Sequence, residues 1–170
     1  MKHYKSPDNK IWAYEEDGSQ DHLIPGNFTL LTQQQLDEIR NPPLTAEQFK
    51  AKVSAKRYAV ETAGINFTYR TVPVPVSTAR TSQEKIDAAR NMVRDTAWVD
   101  GSNWKFADGV FRPMTATEIT DMCTAVRIHI KACFDNEATK FAEINATGTT
   151  DVNTGWPASA DTPTTTTFQE

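Results

Sequence analysis

From Thr115 onward, apolar side chains recur at spacings of three and four: Ile119, Met122, Val126, Ile130, Cys133, Phe134, Phe141 and Ile144. That spacing is helical. Thr115 and Glu118 supply a capping box at the start. A helix over 115–145 would be ~45 Å long, at a rise of ~1.5 Å per residue. In a chain of 170 residues, the other elements must pack along such a helix. Any part they leave bare needs a neighbouring subunit. The pattern predicts that Ile119, Met122, Val126, Ile130, Phe134 and Phe141 face two other helices and a hairpin.

The two other helices are marked by the same kind of signal. Thr45 with Gln48 predicts a capped start, and Phe49, Val53, Lys56 and Val60 form one narrow stripe. Ala63-Gly64 closes that helix, glycine being the usual residue past a helix end. Thr81 with Glu84 predicts a second start, for a helix over Ser82 to Thr96 with Ile86, Ala89, Val93 and Ala97 inward. Between the two, Ile65, Phe67 and Tyr69 alternate with Asn66, Thr68 and Arg70, the period of a half-buried strand. Val72-Pro73-Val74-Pro75-Val76 reads as an edge or extended segment, because its prolines lack a ladder donor. Trp104-Lys105-Phe106 and Val110-Phe111-Arg112 flank Ala107-Asp108-Gly109, a tight hairpin turn. Pro113 should limit the second strand, and Trp104 and Phe106 should pack on the long helix.

Residues 1–41 are patterned differently. Tyr4 and Ile11-Trp12-Ala13-Tyr14 flank the turn cluster Ser6-Pro7-Asp8-Asn9, which predicts a hairpin. Further turns follow at Asp17-Gly18 and Pro25-Gly26. Thr32 with Gln35 opens a short helix to Arg40, and Asn41-Pro42-Pro43 stops it. From Thr147 on, Thr, Ser, Asp and Pro dominate, a composition unable to build a core. Trp156 and Phe168 remain as isolated apolar anchors. The sequence is thus read as α+β. It has a β-rich docking module at 1–41, helices packed on a short β-hairpin and ending in the long helix at 42–146, and an extended arm at 147–170.

Chemistry-bearing constellations are sparse. Lys and Arg number 18 against 22 Asp and Glu, and hydrophobic residues make up 38%. Mild acidity without a basic block argues against nucleic acid as a partner. The absence of any run of ~18 apolar residues argues against a membrane partner. Met1-Lys2-His3-Tyr4-Lys5 is not apolar as a secretory leader is, and synthesis in the cytoplasm is expected. Cys123 and Cys133 lie ~15 Å apart along one helix, too far to pair within it, and are expected as buried free thiols. His129 and Cys133 have helical spacing, but no second pair of ligands for a metal. Glu137 is expected to pair with Lys140 at i+3. No glycine-rich phosphate loop is present, so no cofactor is expected. A glycan-cleaving reading needs two carboxylates in a cleft. Glu61, Asp100 and Asp108 are its candidates, each with a simpler role at a helix end or hairpin. No catalytic residue and no metal ligand is assigned. Trp12, Trp156 and Phe168 are the candidate partner-binding residues, since half-exposed aromatics anchor interfaces.

Several stretches together resemble a domain of unknown function common in bacteriophage tail proteins. They are Arg57-Tyr58-Ala59-Val60-Glu61-Thr62-Ala63-Gly64-Ile65, Val72-Pro73-Val74, Trp104-Lys105-Phe106-Ala107-Asp108-Gly109 and Ala132-Cys133-Phe134-Asp135-Asn136-Glu137 with Ile144-Asn145-Ala146. This resemblance spans roughly residues 57–147. The opening Tyr4-Lys5-Ser6-Pro7-Asp8-Asn9, and Asn41-Pro42-Pro43, are similar to the N-terminal part of small tail and tail-fibre-assembly proteins. The resemblance implies a non-enzymatic part of the virion tail, made in the host cytoplasm. Its partners would be tail fibre or baseplate proteins, in a homo- or hetero-oligomer. The alternative it implies is a chaperone for fibre folding and trimerisation. It carries no catalytic residues to transfer.

Overall fold

A computed structural model describes residues 1–160. The chain divides into two units, Met1–Leu44 and a second beginning at Thr45. The division falls just past the Asn41-Pro42-Pro43 break.

The N-terminal unit holds strands β1 (Lys2–Lys5), β2 (Ile11–Tyr14) and β3 (Thr29–Leu30), a single 3-10 turn at Asp21–Leu23 and helix α1 (Gln33–Arg40). The strands form an antiparallel sheet in the order β2-β1-β3. Ser6 closes the β1–β2 turn, its Oγ accepting the Lys10 N–H, and Asn9 takes the left-handed conformation there. Thr32 and Gln35 form the expected capping box of α1. Leu36 and Ser6 are the buried side chains among the described residues of this unit.

The second unit runs α2 (Ala46–Thr62), β4 (Ile65–Tyr69), β5 (Val72–Val76), α3 (Arg80–Arg94), β6 (Ser102–Lys105), β7 (Phe111–Met114) and α4 (Ala116–Thr147). The architecture is α+β, with a long final helix. Capping boxes form at Thr45/Gln48 and Thr115/Glu118. The Glu118 carboxyl feels burial pushing its pKa up. The Thr115 backbone N–H and the Arg70 guanidinium outweigh that and hold it below the usual range.

The box expected at Thr81/Glu84 does not form. Helix α3 starts at Arg80 with Ala79 as an uncapped N-cap. Buried Thr78 fixes the chain just before it, its Oγ donating to Glu61 O and accepting the Gly64 N–H, while the Gln83 amide reaches back to Thr78 O. These bonds set the helix start ahead of the local capping preference.

Strands β4 and β5 pair antiparallel, with Asn66 opposite Pro75 and Thr68 opposite Pro73. Prolines have no N–H to give, so they occupy positions whose backbone faces away from the partner strand. The Pro75 carbonyl accepts the Ala107 N–H from the β6–β7 loop. Pro113 does not end β7. It lies within the strand opposite Asn103, and its carbonyl accepts from the Tyr69 hydroxyl at 2.7 Å.

The core gathers Ile65, Phe67, Val74 and Val76 from the first hairpin, Ile86 and Ala89 from α3, Phe106 and Met114 from the second hairpin, and Ile119, Met122, Cys123 and Val126 from α4. Trp104 and Ile130 pack against it partly buried. Farther along α4 the buried stripe continues through His129, Cys133, Lys140 and Ile144. Phe134, expected inside, is 45% exposed. It stands one position past Cys133, about 100° around the helix from the buried line. On α2, of the expected stripe only Val53 is fully buried, and Glu61 is buried as well.

The segment after α4, expected to leave as an arm, returns along the helix through residue 160. Gly148 ends α4 in the left-handed conformation. Lys140 Nζ donates to Asp151 O, Asn136 Nδ2 to Thr154 O, and the Ala160 N–H to Gly64 O.

Candidate functional site

Exposed aromatic side chains form the candidate site. In the N-terminal unit the strand register sets a row. Tyr4 lies opposite both Trp12 on β2 and Leu30 on β3. Cross-strand partners share a face, and the two-residue period adds Tyr14 beside Trp12. The Tyr4 and Tyr14 rings meet edge to face at 5.6 Å, and Trp12 leans on Phe28 at 6.2 Å. Trp12 is nonetheless 48% exposed and Leu30 55%. One face of this small sheet is therefore aromatic and open. Rings of this kind offer large contact area at low entropic cost. The sequence marks Trp12 as a candidate beside a predicted hairpin turn, and the register sets Tyr4 opposite it. Leu30 escapes notice because β3 is only two residues long.

The other two candidate partner residues lie elsewhere. Trp156 is half-buried in the segment after α4, where its indole N–H donates to Val152 O at 2.8 Å. Phe168 lies outside the described residues.

The ionisable side chains singled out by sequence are held by neighbours. Glu61 is 2% exposed, ion-paired with Arg57 one turn back and 3.6 Å from Arg80 Nη2. Glu137 does not pair with Lys140. It lies 3.2 Å from Arg57 Nε, so Arg57 joins the carboxylates of α2 and α4. The pair at i, i+3 gives way because Lys140 is drawn to the backbone of the returning segment. Asp100 accepts the Ala116 N–H at the start of α4. Asp108 bonds both Nη atoms of Arg112, and these bonds hold its carboxyl below the usual range. The three carboxylates thus sit at three separate structural posts. His129 Nε2 is 3.1 Å from Val60 O, an acceptor, so Nε2 carries the proton. Burial pushes the Cys133 thiol up to about 11, with the Glu61 charge adding to it. Among the described residues no three His, Cys, Asp or Glu side chains are placed to hold a metal ion. Among the same residues no helix is long and apolar enough to cross a membrane.

With this geometry in view, the sequence matches the family described as "Domain of unknown function (DUF4376)" over residues 44–159. The chain belongs to this family. The DUF4376 region begins one residue before the second unit and takes in the returning segment, Trp156 included. The aromatic row of β1–β3 lies outside it, in the N-terminal unit. No curated protein and no solved structure matches the chain.

Proposed function

We propose that this protein is a non-enzymatic structural component of a bacteriophage tail. In this reading it attaches or organises tail fibres at the tail or baseplate through protein–protein contacts, within a homo- or hetero-oligomer in the virion. The observation that carries the docking role is the open row Trp12-Tyr4-Leu30 on a unit whose one buried apolar side chain is Leu36. Domains near ~40 residues usually need disulfides, metals or partners to be stable. Both cysteines of the chain lie in the other unit, free and buried. A partner laid over the aromatic row would supply the missing burial. The link to phage tails rests on the sequence resemblance described above.

Mass spectrometry of purified particles of a phage encoding this chain tests the reading. It expects the protein in fixed ratio to the fibre protein. Absence from particles that still carry fibres overturns it and favours the fibre-folding chaperone. Trp12→Ala should reduce incorporation while leaving the melting of the second unit unchanged.

A further inference from the structure

A cavity of about 400 Å³ opens in the second unit between the end of β5, the first turns of α3 and the β6–β7 hairpin. Its base is apolar, formed by Val76, Ile86, Trp104 and Phe106. Its rim carries two lysines, Lys85 and Lys105, and no carboxylate. Both lysines are exposed, whereas Val76, Ile86 and Phe106 are buried.

The lining of this cavity is positive. Among the described residues neither lysine has a carboxylate partner, and the Lys105 ammonium lies over the Phe111 ring at 5.6 Å. Of the acids close in sequence, Asp87 is paired with Arg127 and Asp108 with Arg112, while Glu84, beside Lys85, is exposed and does not line the cavity. The first turn of α3 beside the cavity has no side-chain cap, so the positive end of that helix adds to the same sign.

We propose that this cavity is a recognition pocket for an acidic segment of a partner protein. One aromatic or aliphatic side chain of that segment packs on Trp104 and Phe106. A neighbouring carboxylate sits between Lys85 and Lys105. The layering favours this occupant: the apolar base suits a side chain, and the cations stand at the mouth where flanking residues emerge. A lone small anion would meet the lysines and leave the base uncovered. The pocket lies in the DUF4376 region, apart from the aromatic row, so either assignment can fail without the other.

The test is a titration of the full chain, followed by the Trp104 indole N–H signal in NMR. The probes are capped peptides of alternating Glu and Phe, the matched Gln–Phe and Lys–Phe peptides, and inorganic phosphate. The Glu–Phe peptide should shift Trp104 and the amides of Ser77 and Ser82. Lys85→Glu and Lys105→Glu, both at exposed positions, should fold normally and weaken it roughly tenfold each, as should the Gln–Phe exchange. Equal affinity for the three peptides, shifts confined to other surfaces, or no shift at millimolar peptide overturns the proposal. So does phosphate moving these signals while the acidic peptide does not.

Discussion

The Nζ of Lys140, buried on α4, donates to the backbone carbonyl of Asp151 at 2.5 Å, eleven residues further on. This bond turns a segment with no core-forming composition into part of the domain. Lys140→Met should destabilise the second unit by about 1–3 kcal/mol, because the Asp151 carbonyl loses a charged donor. Ending the chain after Gly148 should lower the urea midpoint as well. Wild-type midpoints for both would mean that the returning segment holds nothing.

Gly64 is the second joint. Its φ is +89°, and a Cβ there would lie 2.9 Å from the Val76 carbonyl. Gly64→Ala combines a left-handed backbone with a backbone clash and should cost about 3 kcal/mol. Gly109 shares the positive φ but has open space around it. Gly109→Ala should cost about 1 kcal/mol. Thermal unfolding of the two variants should rank them in that order; equal losses would leave the clash without effect.

Phe134 and Met122 sit on the same helix with opposite fates. Met122 is fully buried, and Met122→Ala should cost about 2–5 kcal/mol. Phe134 is exposed, under the Arg57 guanidinium at 4.6 Å from its ring centroid. Phe134→Ala should cost about 1 kcal/mol or less. Chemical denaturation measures both, and a larger loss at Phe134 would contradict the observed burial.

Cys133 gives the stability a dependence at alkaline pH. Burial, with Glu61 adding, raises its thiol from 9.0 to about 11 in the folded chain. The folded state keeps the proton while the unfolded chain gives it up. The contribution is therefore complete below pH 9, falls as pH rises toward 11 and is constant above. Urea midpoints of wild type and Cys133→Ala should differ in slope across that window. Parallel slopes would show that Cys133 does not titrate there. Iodoacetamide at pH 8 should leave Cys133 unlabelled until the chain is unfolded.

Local signals in the sequence carried far where a short stretch decides the structure. Three capping boxes, the alternation over Ile65–Tyr69 and the Asp108-Gly109 turn are all read from neighbouring residues. What escaped depends on distant partners. Lys140 and His129 look like surface residues on a helix, yet both are buried because Asp151 O and Val60 O receive them. Their burial rotates the inward line of α4 away from Phe134. Likewise α3 starts early because Thr78 is tied to Glu61 and Gly64, a bond across a chain reversal. Of the candidate interaction residues, Trp12 was legible as a half-exposed aromatic. The row it joins depends on Leu30, in a strand too short to show a period.

The prolines of the two hairpins limit what can pair with one margin of each. A two-stranded sheet leaves both outer margins unpaired, a standing invitation to strand addition and polymerisation. Pro73 and Pro75 on β5 and Pro113 on β7 withhold amide hydrogens from one margin of each sheet, and the carbonyls of Pro75 and Pro113 are already claimed by Ala107 and Tyr69. An incoming strand would find neither donor nor free acceptor at Pro75 and Pro113, and no donor at Pro73. On the outer margins of β5 and β7 backbone zipping is thereby discouraged, and a partner meeting those two strands must be told apart by side chains.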